Sequence, residues 1–340
     1  MKPFACSCGQ LVYFDSTSCL QCGSTLFFNP DTQTMLSIGA NQLLQDFNVK
    51  ACRNTLDYQA CNWVLDQADP QSLCSACRLN QIIPNLTQQR NLLRWRKLES
   101  AKKRLLYTLI QLNLPIFSKS ESIDLGIAFQ FLEDTRSDPI NYPDLHVQTG
   151  HKQGVITINV LEADDIAIEA ARVALNESYR TLLGHFRHES GHYYWMLIQH
   201  YFKTDSALFS DWQRLFGDET KPYDESLKTY YQQGPADDWY QNFISPYAGA
   251  HPLEDWAETW GHYLHIMDIT QTALSYGLLA IPDSFAERIH YWRSLSTILN
   301  ELNRSAGQKD IYPFVISKPV EEKLLFTHSL AKRLNGMTQL

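Results

Sequence analysis

All eight cysteines of this 340-residue chain lie between Cys6 and Cys77, and none follows. Core cysteines of an ordinary domain would be scattered, so the clustering marks a separate N-terminal module. The segment is rich in Asn, Gln, Ser, Thr and Asp and poor in long apolar runs. It cannot bury enough surface to fold unaided, and bound metal would supply the missing free energy. Cys6-Ser7-Cys8 and Cys19-Leu20-Gln21-Cys22 form two short knuckles, the pattern of a tetrahedral four-cysteine zinc ribbon. Gly9 and Gly23, just after them, suit the tight backbone there. Cys52, Cys61, Cys74 and Cys77 form a second set in which only the last two are tightly spaced. We read it as a second structural zinc site with four cysteine ligands, with disulfides or free thiols as the alternative.

A boundary fits near Ile83-Pro84-Asn85, giving a zinc-ribbon module over residues 1–82 and a larger domain over 83–340. Leu86 to Leu114 reads as one long helix ending before Pro115. It carries Arg90, Arg94, Arg96, Lys97, Lys102, Lys103 and Arg104, a basic cluster read as a solvated face rather than a partner-binding patch. Leu125 to Leu132 reads as a strand. His146 to Thr149 and Val155 to Val160 read as a pair joined by the turn from Gly150 to Gly154. Helices are expected over Ile166 to Leu175, Tyr179 to Tyr201, Leu253 to Met267, Ser284 to Asn303 and Val320 to Arg333. Strands followed by helices indicate an α+β fold, mostly helical with a small antiparallel sheet.

The chemistry concentrates in His188-Glu189-Ser190-Gly191-His192, an H-E-x-x-H sequence inside an expected helix. Residues four apart share a helix face, so both imidazoles reach one Zn²⁺. Glu189, beside the first ligand, is placed to polarise a water as general base. Gly191 costs a helix interior roughly 1 kcal/mol relative to Ala, which a close backbone or substrate approach would justify. A catalytic zinc needs a third protein ligand and an open fourth position. Glu254 and Glu258, four apart on a helix opening at Pro252, are candidates: one as ligand, the other orienting a ligand histidine. His251, His262 and His265 are alternative ligands. Tyr247 and His251 are candidates for stabilising an oxyanion.

With these residues in place, the chain resembles a bacterial family of zinc-binding metallopeptidases in which a zinc ribbon precedes a zincin-like domain. The matching blocks are the Cys6 to Cys22 ribbon, Cys74 to Asn80, Tyr179 to Trp195 and His251-Pro252-Leu253-Glu254-Asp255-Trp256-Ala257-Glu258. The resemblance implies that Glu254, first glutamate of Glu-x-x-Ala-Glu, is the third ligand. It also implies an edge strand above the active-site helix, a role that Val155 to Val160 fits, against which an extended substrate would add as a further strand.

The expected activity is hydrolysis of peptide bonds in a protein or peptide substrate, with one catalytic and two structural zinc ions. The competing expectation is an inactive zinc-ribbon adaptor on a zincin-like scaffold. The net charge of -8 argues against broad nonspecific binding to nucleic acid or to an anionic membrane. The first residues lack the apolar stretch of a signal peptide, and no apolar run is long enough to span a bilayer. The expected location is therefore the cytoplasm, where thiols stay reduced. The ribbon is expected to serve as scaffold and protein contact.

Overall fold

The computed structural model describes every residue except 175–178, 279, 281–283, 336 and 338–340. It divides into two compact units. One comprises Met1–Ile110, Phe117–Glu169 and Gln271–Leu278, and so takes in both sides of residue 82. The other comprises Gln111–Ile116, Ala170–Thr270 and Leu279–Leu340. The α+β class holds.

The first unit starts with three antiparallel ribbons. Strands β1 (Phe4–Ala5) and β2 (Leu11–Val12) carry the first cysteine knuckle between them. Strands β3 (Thr25–Asn29) and β4 (Thr34–Ile38) pair next. The strand β5 (Val49–Ala51), the short helix α1 (Arg53–Tyr58) and the strand β6 (Val64–Asp66) follow, with β5 against β6. Then come β7 (Asn80–Ile82) and the helix α2 (Gln89–Gln111). Phe4, Phe14, Phe28 and Trp63 pack as tilted or edge-on rings, and Tyr107 of α2 joins them. Aromatic pairs in such geometry add about 0.5–1.5 kcal/mol each beyond area burial. The cysteine segment therefore shares its core with α2.

That packing overturns the reading of the basic cluster. Arg94, Lys102 and Lys103 are buried. Arg94 pairs with Asp164, and Lys102 with Glu99 and Asn80. Lys103 reaches the Ala60 carbonyl and the Asn62 side chain. Arg104 pairs with Asp15, and Arg96 holds the Tyr58 carbonyl. Arg96, Lys102, Lys103 and Arg104 thus fasten α2 to the first eighty residues and Arg94 fastens it to Asp164, while Arg90 and Lys97 remain exposed as the solvated-face reading expects.

The four-stranded sheet of this unit is mixed. Strands β8 (Ala128–Leu132), β9 (Gly150–Lys152) and β10 (Val155–Asn159) join β7 in the order β7-β8-β10-β9. β10 runs parallel to β8 and antiparallel to β9. Three expectations change. The sheet is not the antiparallel one expected, because β7 and β10 both pair with β8 in parallel across long connections. The turn is the pair Gln153-Gly154, both at positive φ, so Gly150–Lys152 is strand and the pairing lies nearer the turn than the His146 to Thr149 reading placed it. β10 is interior, not an edge, and its Ile156 and Ile158 are fully buried. Helix α3 (Asp165–Ala174) follows, and Leu175, its expected last residue, lies outside the described residues.

Among the described residues, the second unit contains the helices α4 (Leu182–Tyr201), α5 (Ser206–Phe216), α6 (Tyr223–Gln233), α7 (Pro252–Ser275, to Thr270), α8 (Phe285–Ser305) and α9 (Lys318–Asn335). Thr181 caps α4, its hydroxyl accepting from the Gly184 amide. Trp195, Trp212, Trp256 and Trp260 are buried and form the aromatic core of α4, α5 and α7. Helices α5 and α6 lie in the stretch after Ala163 that reads as mostly helical, but are not among the helices delimited individually.

Candidate active site

Two helices build the site. On α4, His188 and His192 share one face and their rings lie 5.1 Å apart. On α7, Glu254 is 1% exposed and reaches both: Oε2 is 3.0 Å from His188 Nε2, and Oε1 is 3.5 Å from His192 Nε2. One ligand atom from each of the three lies within 4.8 Å of the others, a spread that a single ion can bridge.

The helices can approach this closely because Gly191 lies at their crossing. A Cβ there would fall 2.9 Å from Ala257 Cα and 3.1 Å from Trp260 Cβ. Two indoles lock the contact: Trp256 Nε1 donates to the Gly191 carbonyl at 2.8 Å, and Trp260 Nε1 to Ser190 Oγ at 3.1 Å. The close approach suggested by a mid-helix glycine is thus made by the α7 backbone.

Glu258 stands apart from the donor group. Its Oε1 meets His188 Nδ1 at 2.7 Å, the ring nitrogen opposite the one facing Glu254, and its Oε2 accepts from Ser245 Oγ at 2.5 Å. A carboxylate in that place fixes the tautomer and direction of an imidazole. Burial works to raise the Glu258 pKa, but His188 outweighs it, and Ser245 adds to the effect, so the carboxyl is held at about 2.

Glu189 is 7% exposed, and its Oε2 has no hydrogen-bond partner. Burial pushes its pKa above the ordinary carboxylate value, while His188 and His192 pull it down. A buried carboxylate oxygen without a partner is costly and marks a place where a further group belongs.

The remaining candidates are placed as follows. His262 and His265 lie outside the donor group, packed against Tyr312 and, respectively, Phe314 and Trp292. Both ring nitrogens of His251 are engaged by backbone: Nδ1 accepts from the Leu253 amide, and Nε2 is 3.1 Å from the Lys221 carbonyl. His251 thereby caps α7. Tyr247 lies with its ring 6.0 Å from that of His188. Tyr223 donates its hydroxyl to Glu254 Oε1 at 2.5 Å. Sequence reasoning did not single out Tyr223 or Ser245. The available signal for Tyr223 was the helix start, Pro222 followed by Asp224 and Glu225.

The cysteines gather in two groups of four, Cys6, Cys8, Cys19 and Cys22, and Cys52, Cys61, Cys74 and Cys77. All eight are unbridged. Sulfurs lie 3.5 Å apart for Cys6 and Cys22, 3.7 Å for Cys8 and Cys19, and 3.7 Å for Cys61 and Cys74. A tetrahedron with Zn–S bonds of about 2.3 Å separates its sulfurs by about 3.8 Å, so both groups fit that ion. The Lys103 ammonium is held raised despite burial by the charge of Cys61, Glu99, Cys77 and Cys74, placing a cation beside the second group.

The family described as "Putative zinc-binding metallo-peptidase" matches residues 91–330. A zinc-ribbon domain family matches residues 3–88. An uncharacterized protein of Mycobacterium bovis is 39% identical over 341 residues, covering 97% of this chain and 95% of its own. Uncharacterized proteins of two strains of Mycobacterium tuberculosis match to the same extent. No solved structure matches. Among the described residues, no helix is long and apolar enough to cross a membrane.

Proposed function

The chain belongs to this zinc-binding metallo-peptidase family with its zinc ribbon, and from that premise we propose that it hydrolyses peptide bonds, with Glu189 as general base. The observation that carries the reading is the buried Glu189 oxygen without a partner, beside three residues whose donor atoms converge. In this reading His188, His192 and Glu254 are the protein ligands of a catalytic zinc, and residues 83–340 form the peptidase domain. Zinc, when bound, supplies a Lewis acid that lowers the pKa of water towards neutrality and polarises a carbonyl.

This chain's own residues do the rest. Glu189 takes a proton from the attacking water at its partnerless oxygen and passes it to the leaving nitrogen. Its raised pKa suits it to hold that proton between the two transfers. Glu258, fixed by Ser245, keeps Nδ1 of His188 occupied so that Nε2 faces the donor group. Tyr247 is the donor for the developing oxyanion; burial keeps its phenol protonated. His251 has no such role, because backbone uses both of its nitrogens.

The two cysteine groups, within residues 1–82, bind structural zinc in this reading, and the ribbon serves as scaffold and protein contact. The location is cytoplasmic, and the substrate is a protein or peptide.

Glu189→Gln tests the proposal. Peptide hydrolysis should fall by roughly 10²–10⁴-fold, with fold and zinc content unchanged. Substrates captured by this variant and cleaved by the parent would identify what the enzyme acts on. A variant cleaving as fast as the parent would remove Glu189 as the base.

A further inference from the structure

None of the eleven residues of helix α6 is fully buried; Ser226, Leu227 and Tyr230 are half-buried. The chain enters and leaves its neighbourhood through Gly217 at φ +104° and Gly234 at φ +76°, with Pro222 and Pro235 nearby. A cavity of about 470 Å³ lies against it, lined by Glu225, Ser226 and Thr229 on the helix and by Ala248, Gly249 and His251 opposite. A helix with no fully buried residue draws less stability from packing than its neighbours and is drawn from the part of a fold that opens more readily.

Its strongest contacts lead to the metal face. The Tyr223 hydroxyl donates to Glu254 Oε1. The Tyr223 ring also lies edge-on to His251, which caps the helix bearing Glu254. The Tyr230 ring lies 5.7 Å from that of Tyr247, which in turn lies beside His188. The first and last turns of α6 are thus tied to Glu254 and to the neighbour of His188.

We infer that α6 is a lid whose latch is the metal site: Tyr223 is a positioning residue for Glu254, and a metal ion bound by His188, His192 and Glu254 holds α6 down. The inference rests on the zinc reading of those three residues. A carboxylate that gives one oxygen to a cation is fixed in one rotamer and keeps its other oxygen for the phenol. The phenol in turn restricts the carboxylate to the orientation the cation needs. Coupling of this kind is reciprocal, so whatever factor metal adds to lid closure, the latch adds to metal affinity. A hydrogen bond to a charged group sets the scale at about tenfold or more.

Hydrogen exchange of the full-length chain, followed by mass spectrometry over residues 218–236, tests this. Exchange is compared with three zinc ions bound and after a chelator has removed one, the cysteine sites remaining filled. Exchange in α6 should slow by about tenfold or more on filling the site, while α8 should not change. In Tyr223→Phe that zinc dependence should vanish, and the zinc concentration that half-fills the site should rise by the same factor. A purely structural tyrosine would change exchange equally with and without zinc. The lid is overturned if filled and stripped parent protein exchange alike over α6, a comparison that needs no variant. If His188, His192 and Glu254 take up no zinc at all, the zinc reading and the lid fall together. If zinc binds but α6 does not respond, only the lid falls.

Discussion

At the scale of single residues, Gly191 decides how near α7 can come to α4. Alanine at that position would gain about 1 kcal/mol of helix propensity. It would also place a methyl 2.9 Å from Ala257 Cα, which is backbone and cannot turn away. Overpacking costs about 1–3 kcal/mol, so Gly191→Ala should be destabilising on balance, with a midpoint lower by a few degrees in thermal unfolding. The sequence announced this glycine as a close approach but not its partner, because Ala257 lies far along the chain on another helix. The same limit applied to the proposed third ligand. H-E-x-x-H is local and readable; Glu254 and Glu258 share one helix face, so residue pattern alone left both open, the resemblance favoured Glu254, and in the structure the two meet opposite nitrogens of His188. The buried histidines yield a pH prediction. Burial depresses His262 to about 4 and His265 well below its usual value. Both bind fewer protons folded than unfolded, so their stabilisation is complete above about pH 6.5 and is lost as pH falls towards 4. For His262 this amounts to about 3 kcal/mol. Urea midpoints of His262→Gln should decline less than those of the parent between pH 7 and pH 4.5.

At the scale of elements, long amphipathic helices were legible to within a few residues, as α8 and α9 show. Helix α6 left only the signal of its start, Pro222 with Asp224 and Glu225, because no residue on it is fully buried and no apolar stripe marks it. Helix α5 did carry a signal, Leu208, Trp212 and Phe216 at four-residue spacing, all buried. The charges of α2 misled because most of their partners lie far away in sequence, from Asp15 to Asp164, and only Glu99, beside Lys102, falls within a window of local charge. A comparable buried cation joins α9 to α7: Lys323 is 2.6 Å from Asp255, with 5% and 1% side-chain exposure. Lys323→Met leaves that carboxylate without its partner and should cost about 3–5 kcal/mol. Adding Asp255→Leu should return most of the loss, as measured by denaturant unfolding.

At the scale of the whole molecule, three groups of residues that could each hold an ion make metal content the decisive count. Fully loaded protein should contain close to three zinc ions per chain, and two or fewer by elemental analysis would remove a site. Cys74, fully buried in its group, gives the sharpest variant. Cys74→Ser should lose one zinc and, with it, several kcal/mol of stability. Module order was readable from the cysteines alone, whereas the shared core of Phe4, Phe28, Trp63 and Tyr107 was not, since aromatic residues so far apart show no period. The contact of α4 with α7 has one more consequence, for the choice of metal. Where backbone meets backbone at Gly191 and Ala257, the helices cannot spread without breaking two indole hydrogen bonds. The spacing of the two helices that carry His188, His192 and Glu254 is therefore set by the main chain. If those three residues hold an ion, two imidazoles and one carboxylate suit Zn²⁺ or Co²⁺ rather than Ca²⁺, which takes six to eight oxygens at longer range.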